Sequence, residues 1–140
     1  AKVRLIQDGD IAGVIHTTEK STGIDMYMGI GGAPEGVLAA AALRCIGGQM
    51  QTKLVLEDQE KKDRASRLGI TDFDKIYNLD DMVTGDALFA ATGVTNGSIL
   101  SGIEINSGIW THTIVMRSSS KTIRWITAHH QNIDKFNSQD

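Results

Sequence analysis

The run Gly29-Ile30-Gly31-Gly32-Ala33-Pro34-Glu35-Gly36 joins two apolar stretches of different kind, and it limits the possible folds more than any other feature. Upstream, Ile24 to Ile30 has the apolar content of a buried parallel strand. Downstream, Val37 to Ile46 is apolar or small, rich in alanine, and ends at Gly47-Gly48. Pro in the first turn and Gly at the exit mark the two ends of a helix. The pattern is a strand entering a helix through a glycine turn. Without Cβ atoms, such a turn lets backbone come close to a ligand. The helix start also offers unpaired N–H groups and a partial positive charge to a phosphate. Glu35 adds a carboxylate at the same place, which suits a divalent cation held between the two. A purely structural reading stands beside this one. Glu in a first turn complements the helix dipole, and the glycines match neither G-x-G-x-x-G nor a P-loop, since no Lys-Ser/Thr follows them.

Around this turn the chain alternates between strand and helix patterns. Val3 to Ile6 reads as a strand, and Asp8-Gly9-Asp10 as the turn at its end. Ile11 to Thr18 fits a short helix capped by Asp10. The two carboxylates could also hold a cation or accept hydrogen bonds from sugar hydroxyls, although the residues alone favour the cap. Ser21-Thr22-Gly23 turns the chain into the strand Ile24 to Ile30. Strand, helix, strand, helix is the rhythm of a parallel or mixed α/β sheet, in which ligands lie beyond the carboxyl ends of the strands. Asp8, Asp10 and Glu35 would then share one rim.

Met50 to Leu56 reads as a third strand, and Asp58 to Leu68 as a charged helix closed by Gly69. Glu57 and Lys61, Glu60 and Arg64, and Asp63 and Arg67 stand four apart with the acid first, the spacing of a solvated helix face. The acids Asp72, Asp74, Asp80 and Asp81 fall at turn or cap positions without calcium-loop spacing. Asp86 to Thr92 is a further apolar strand, followed by the turn signal Asn96-Gly97. Trp110, His112, Ile114 and Met116 then alternate with Thr111, Thr113, Val115 and Arg117 at a period of two. Ser118 to Ser120 turns the chain back into Thr122 to Thr127, so an antiparallel hairpin is expected and the sheet is mixed. On that hairpin His112 reads as a hydrogen-bonded core residue. Arg117 and Arg124 read as solvent-facing rather than phosphate-binding. His129 and His130 point to opposite faces and lack a third ligand nearby. Residues 1–128 form one α/β domain in this reading, and residues 129–140 a polar tail.

Composition excludes several classes. A net charge of -3 lacks the basic excess that a nucleic-acid surface needs. No apolar run approaches the ~18 residues of a membrane span. Cys45 is the only cysteine and falls inside the apolar helix, which suits a reducing cytoplasm. Ala1 has no Met before it and a strand begins almost at once, as in a chain cut from a longer one; an ordinary processed start fits nearly as well.

Four blocks in order carry a resemblance. They are Asp8 to Gly13, Met28 to Leu43, Phe89 to Gly97, and Thr111 to Ser118. Together they resemble the class II, or bacterial-type, fructose-1,6-bisphosphatases, and the match covers only the carboxyl-terminal part of that family's chain. The resemblance implies the layered, mixed-sheet α/β fold of the lithium-sensitive sugar phosphatases. It implies hydrolysis of the 1-phosphate of fructose 1,6-bisphosphate with Mg²⁺ or Mn²⁺, in gluconeogenesis. By resemblance Glu35 is a metal ligand, Gly32 contacts substrate, and Asp8, Gly9 and Asp10 contact the sugar, which displaces the cap reading. Some relatives also accept sedoheptulose 1,7-bisphosphate. The implied partners are the substrate, the amino-terminal part of the same enzyme and further copies in a homo-oligomer. No catalytic residue is assigned here, because the remaining metal carboxylates, the groups that position water and the distal-phosphate clamp belong to upstream sequence. Asn96 stands where relatives commonly carry Asp, a change that bears on the turn. The other reading is a sugar-phosphate-binding module inactive on its own, or a phosphatase for a related sugar phosphate.

Overall fold

The computed structural model describes residues 2–6, 10–132 and 134–136, with the backbone alone at 10 and 135. Its centre is helix α2, Ala33–Ile46. Pro34 lies in the first turn, and Gly47 ends the helix in the left-handed region at φ 99, its N–H donating to the Leu43 carbonyl at 2.7 Å. A left-handed residue is a common helix stop because glycine takes that conformation without a Cβ penalty. Alanines let neighbours approach α2 closely from two sides. Ala42 and Cys45 join Ile15, Phe89, Ile114 and Met116 in one cluster, while Ala39 and Leu43 join Val14 in a second. Each large side chain buried here contributes about 2 kcal/mol. The Cys45 thiol donates to the Ala87 carbonyl at 3.4 Å, and burial pushes its pKa up, which keeps it protonated and unreactive.

One cluster faces a four-stranded antiparallel sheet. Its central strand is β5, Ile109–Arg117; β3, Leu88–Thr92, and β4, Glu104–Ile105, pair with different halves of one edge, and β6, Thr122–His130, pairs along the other. The period of two holds: Ile114 and Met116 are 2% and 0% exposed. β6 runs three residues past Thr127. The other cluster faces helix α1, Asp10–His16, which begins at Asp10 itself rather than after it. Between these parts lie a two-residue ladder of β1, Gln51–Thr52, with β2, Tyr77–Asn78, the exposed helix α3, Gln59–Arg67, and one turn of helix, α4, Leu79–Met82. Asp58 caps α3 through the Lys61 N–H at 2.8 Å, and the Lys61 ammonium meets Glu57 at 3.2 Å. Asp63 accepts instead from Gln59 at 2.8 Å. Asp81 accepts from the Asn78 N–H at 2.9 Å, the cap role expected of it.

Two expected strands do not form. Residues 2–6 and 24–30 belong to neither sheet, and Met50 to Leu56 contributes only β1. Every ladder among the described residues is antiparallel, so the parallel pairing expected of Val3 to Ile6 and Ile24 to Ile30 is not realised. The physical reason is that a strand is defined by its neighbour: an apolar run can set the backbone extended, but it cannot supply the chain that pairs with it.

Candidate functional site

The site begins with the entry into α2. Gly32 is its N-cap, extended at φ -68 and ψ 153, with no side chain to satisfy the first N–H groups. Glu35 lies in the first helical turn, exposed, as the macrodipole favours. Its side chain folds back over Gly32, so that a Cβ built on Gly32 would collide with Glu35 Oε2 and stand 3.1 Å from its Cδ. Any other residue at 32 would therefore displace the carboxylate. This makes Gly32 and Glu35 one unit: a helix start without a side-chain cap, with a carboxylate folded against its N-cap glycine. The contact was readable in part, since positions three apart in a first turn share a face, but the direction of the side chain was not.

The remaining expected residues stand as follows. Asp8 and Gly9 lie outside the described residues. Asp10 opens α1, with only its backbone described. Thr18, just past α1, lies against Gly48, just past α2: a Cβ on Gly48 would stand 3.2 Å from Thr18 Cγ2. Val14 meanwhile shares a cluster with Ala39 and Leu43. The two helices therefore run in the same direction, and the start of α1 at Asp10 points toward the amino-terminal half of α2. Among the described residues no three His, Cys, Asp or Glu side chains converge as a metal site. Glu35 alone does not make one, because a hard cation takes about six oxygen ligands. A cation held by Glu35 would therefore need further oxygen ligands beyond that carboxylate.

A cleft also lies elsewhere. A hollow of about 440 Å³ is lined by Arg44, Asp80, Asp86, Ser119 and Lys121, among others, at the carboxyl end of α2. That is roughly 16 Å from Glu35 along the helix. Its charged side chains are already hydrogen-bonded. Arg44 donates to Asp80 at 2.6 Å and to the Gly85 carbonyl at 2.7 Å, and Lys121 donates to the Arg44 carbonyl at 2.8 Å. Asp86 takes Arg117 at 2.9 and 2.7 Å together with Ser118 and Ser119. The Ser118 hydroxyl first, then Arg117 and Ser119, hold the Asp86 carboxyl well below the usual carboxylate range. The charged groups of this cleft are hydrogen-bonded within the protein, and Arg117 is paired with Asp86.

The histidines of β5 and β6 make local contacts. His112 shares a 3.3 Å hydrogen bond between Nδ1 and Thr127 Oγ1, as expected of a packed residue, while Nε2 faces Glu104 at 3.6 Å without a hydrogen bond. His129 stacks on Trp110 with ring centroids 4.1 Å apart, and His130 shares a 3.0 Å hydrogen bond with Thr111. Asn96 accepts from the Gly102 N–H at 2.9 Å, so its amide stitches the loop after β3.

Known proteins supply the context for the turn. A family model described as bacterial fructose-1,6-bisphosphatase, glpX-encoded, matches residues 1–130. Two cyanobacterial proteins named D-fructose 1,6-bisphosphatase class 2/sedoheptulose 1,7-bisphosphatase are similar. One, from Synechococcus sp. (strain JA-3-3Ab), is 38% identical over 144 residues, and one, from Synechocystis sp. (strain ATCC 27184 / PCC 6803 / Kazusa), is 37% identical over 144 residues. Each match takes in 93% of this chain and 42% of the relative, so the chain spans less than half of their length. With nearly its whole length matched, the chain belongs to the glpX-encoded bacterial fructose-1,6-bisphosphatase family.

Proposed function

We propose that this chain is the carboxyl-terminal part of a phosphatase that removes the 1-phosphate of fructose 1,6-bisphosphate, leaving fructose 6-phosphate. The observation that carries the reading is the Glu35 carboxylate lying over Gly32 at the open start of α2. In this reading Gly32 lets substrate reach the backbone, and the helix start favours phosphate charge. Asp8 and Asp10 accept hydrogen bonds from sugar hydroxyls. Glu35 provides one carboxylate to Mg²⁺ or Mn²⁺, and the other ligands come from the part of the family's length that this chain does not span. A bound divalent cation would supply Lewis-acid polarisation of the phosphoryl group; the described residues do not complete its site, so no step is assigned through it. The relatives' double name supports sedoheptulose 1,7-bisphosphate as a second substrate. The proposal extends to the layered lithium-sensitive phosphatase fold, a homo-oligomeric assembly and a cytoplasmic role in gluconeogenesis.

The test is phosphate release from fructose 1,6-bisphosphate with Mn²⁺, using this chain alone and joined to the rest of a relative. Activity is expected only in the joined form, and Glu35→Ala should raise the Mn²⁺ concentration needed by at least about tenfold. Unchanged turnover and unchanged metal dependence in that variant would remove Glu35 from the site. Protection by the sugar phosphate without hydrolysis in either form would favour a binding module.

A further inference from the structure

Residues 2–6 and 24–30 expose a concentration of large apolar side chains. Val3 and Leu5 are 78% and 91% exposed, and Met26, Met28 and Ile30 are 72%, 83% and 82% exposed. The second segment has two distinct faces. Tyr27 points inward, packed against the cluster of Val14, Ala39 and Leu43, while Met26, Met28 and Ile30 alternate with it and point away. A strand with one solvated face carries polar residues there, whereas the outward positions here, Met26, Met28 and Ile30, are all apolar. The two segments also share one support. A Cβ on Gly13 of α1 would stand 2.9 Å from the Tyr27 ring and 3.1 Å from Ile6 Cδ1, so both cross the same face of that helix. An apolar segment, a helix and a second apolar segment against one face of that helix follow the order of a parallel crossover, here without the sheet it should cover.

We infer that residues 2–6 and 24–30 are strands of a sheet completed by the polypeptide corresponding to the more than half of the relatives' length that this chain does not span. Backbone pairing supplies register, and Val3, Leu5, Met26, Met28 and Ile30 are buried beneath the incoming layer. This occupant is favoured over a second copy of the chain because the relatives carry so much additional length within one polypeptide. The inference rests on the family reading above and gives it a physical consequence. The segment that docks runs directly into Gly31-Gly32, so docking and assembly of the pocket around Glu35 are one event.

Hydrogen–deuterium exchange reads this without reference to activity. The 140-residue chain is compared with its mixture with the Synechocystis polypeptide lying outside the matched 144 residues, and with a single-chain fusion of the two. Amides of residues 3–6 and 25–30 should exchange freely in the chain alone and slow by at least about a hundredfold in the fusion, with β5 amides protected in both. Met28→Lys with Ile30→Lys should abolish that slowing and leave β5 protected. Free exchange at 25–30 in a fusion whose β5 is protected overturns the inference. So does protection of the chain alone that rises with concentration as a dimer appears by light scattering, which would assign the surface to a second copy. A fusion that protects these amides yet releases no phosphate keeps the docking and sinks the phosphatase reading; one that hydrolyses substrate while 25–30 exchange freely does the reverse.

Discussion

Gly32→Ala separates the site from the fold. The added methyl would take the space of Glu35 Oε2 and stand 3.1 Å from its Cδ. The backbone at φ -68 and ψ 153 suits alanine, so no strain is introduced there. Alanine is a poorer N-cap than glycine, at a cost of about 0.5–1 kcal/mol. Glu35 is exposed and can rotate away, adding about 1 kcal/mol at most if it leaves a rotamer minimum. The total of about 0.5–2 kcal/mol corresponds to a fall in Tm of roughly 2–8 °C for a chain of this size. The carboxylate, however, must move by more than 1 Å, and a misplacement of about 1 Å is enough to cost about a hundredfold in rate. Thermal melts of the chain, beside phosphate release by the fusion with a relative's remaining sequence, give both numbers. A fusion that keeps wild-type turnover and Mn²⁺ dependence would refute the coupling of Gly32 to Glu35. A fall in Tm beyond about 15 °C would show that the glycine serves the fold instead.

Two further outcomes test the packing. Leu43, 1% exposed between α1 and α2, should cost about 3 kcal/mol when cut to alanine, seen as a lower urea midpoint at unchanged m; a loss under about 1 kcal/mol would mean that α1 does not pack on α2 as described. Asp86 has a folded pKa below its unfolded value, so its contribution is complete above roughly pH 4 and disappears as pH falls through the folded value. Asp86→Asn should therefore lower Tm near neutral pH and flatten its decline below about pH 4; acid declines of equal slope in the two proteins would refute the Asp86–Arg117–Ser118 network.

What could be read from the chain alone rests on local physics. Pro34 and Gly47 bound α2 because ring closure and a missing Cβ act within single residues, and the period of two in Trp110 to Met116 follows from the pleat. The family blocks were legible for the same reason, since motifs are local. Tertiary structure decided everything that depends on distant partners. Asp86 and Arg117 are 31 residues apart, and Lys121 reaches across 77 to the Arg44 carbonyl. The clearest case is Ile24 to Ile30, which reads as a strand in sequence and belongs to neither sheet among the described residues. Hydrophobic content is a property of the segment, whereas a ladder of hydrogen bonds is a property of two. Likewise the sequence placed Gly32 and Glu35 three residues apart, and only the folded turn laid the carboxylate over the glycine.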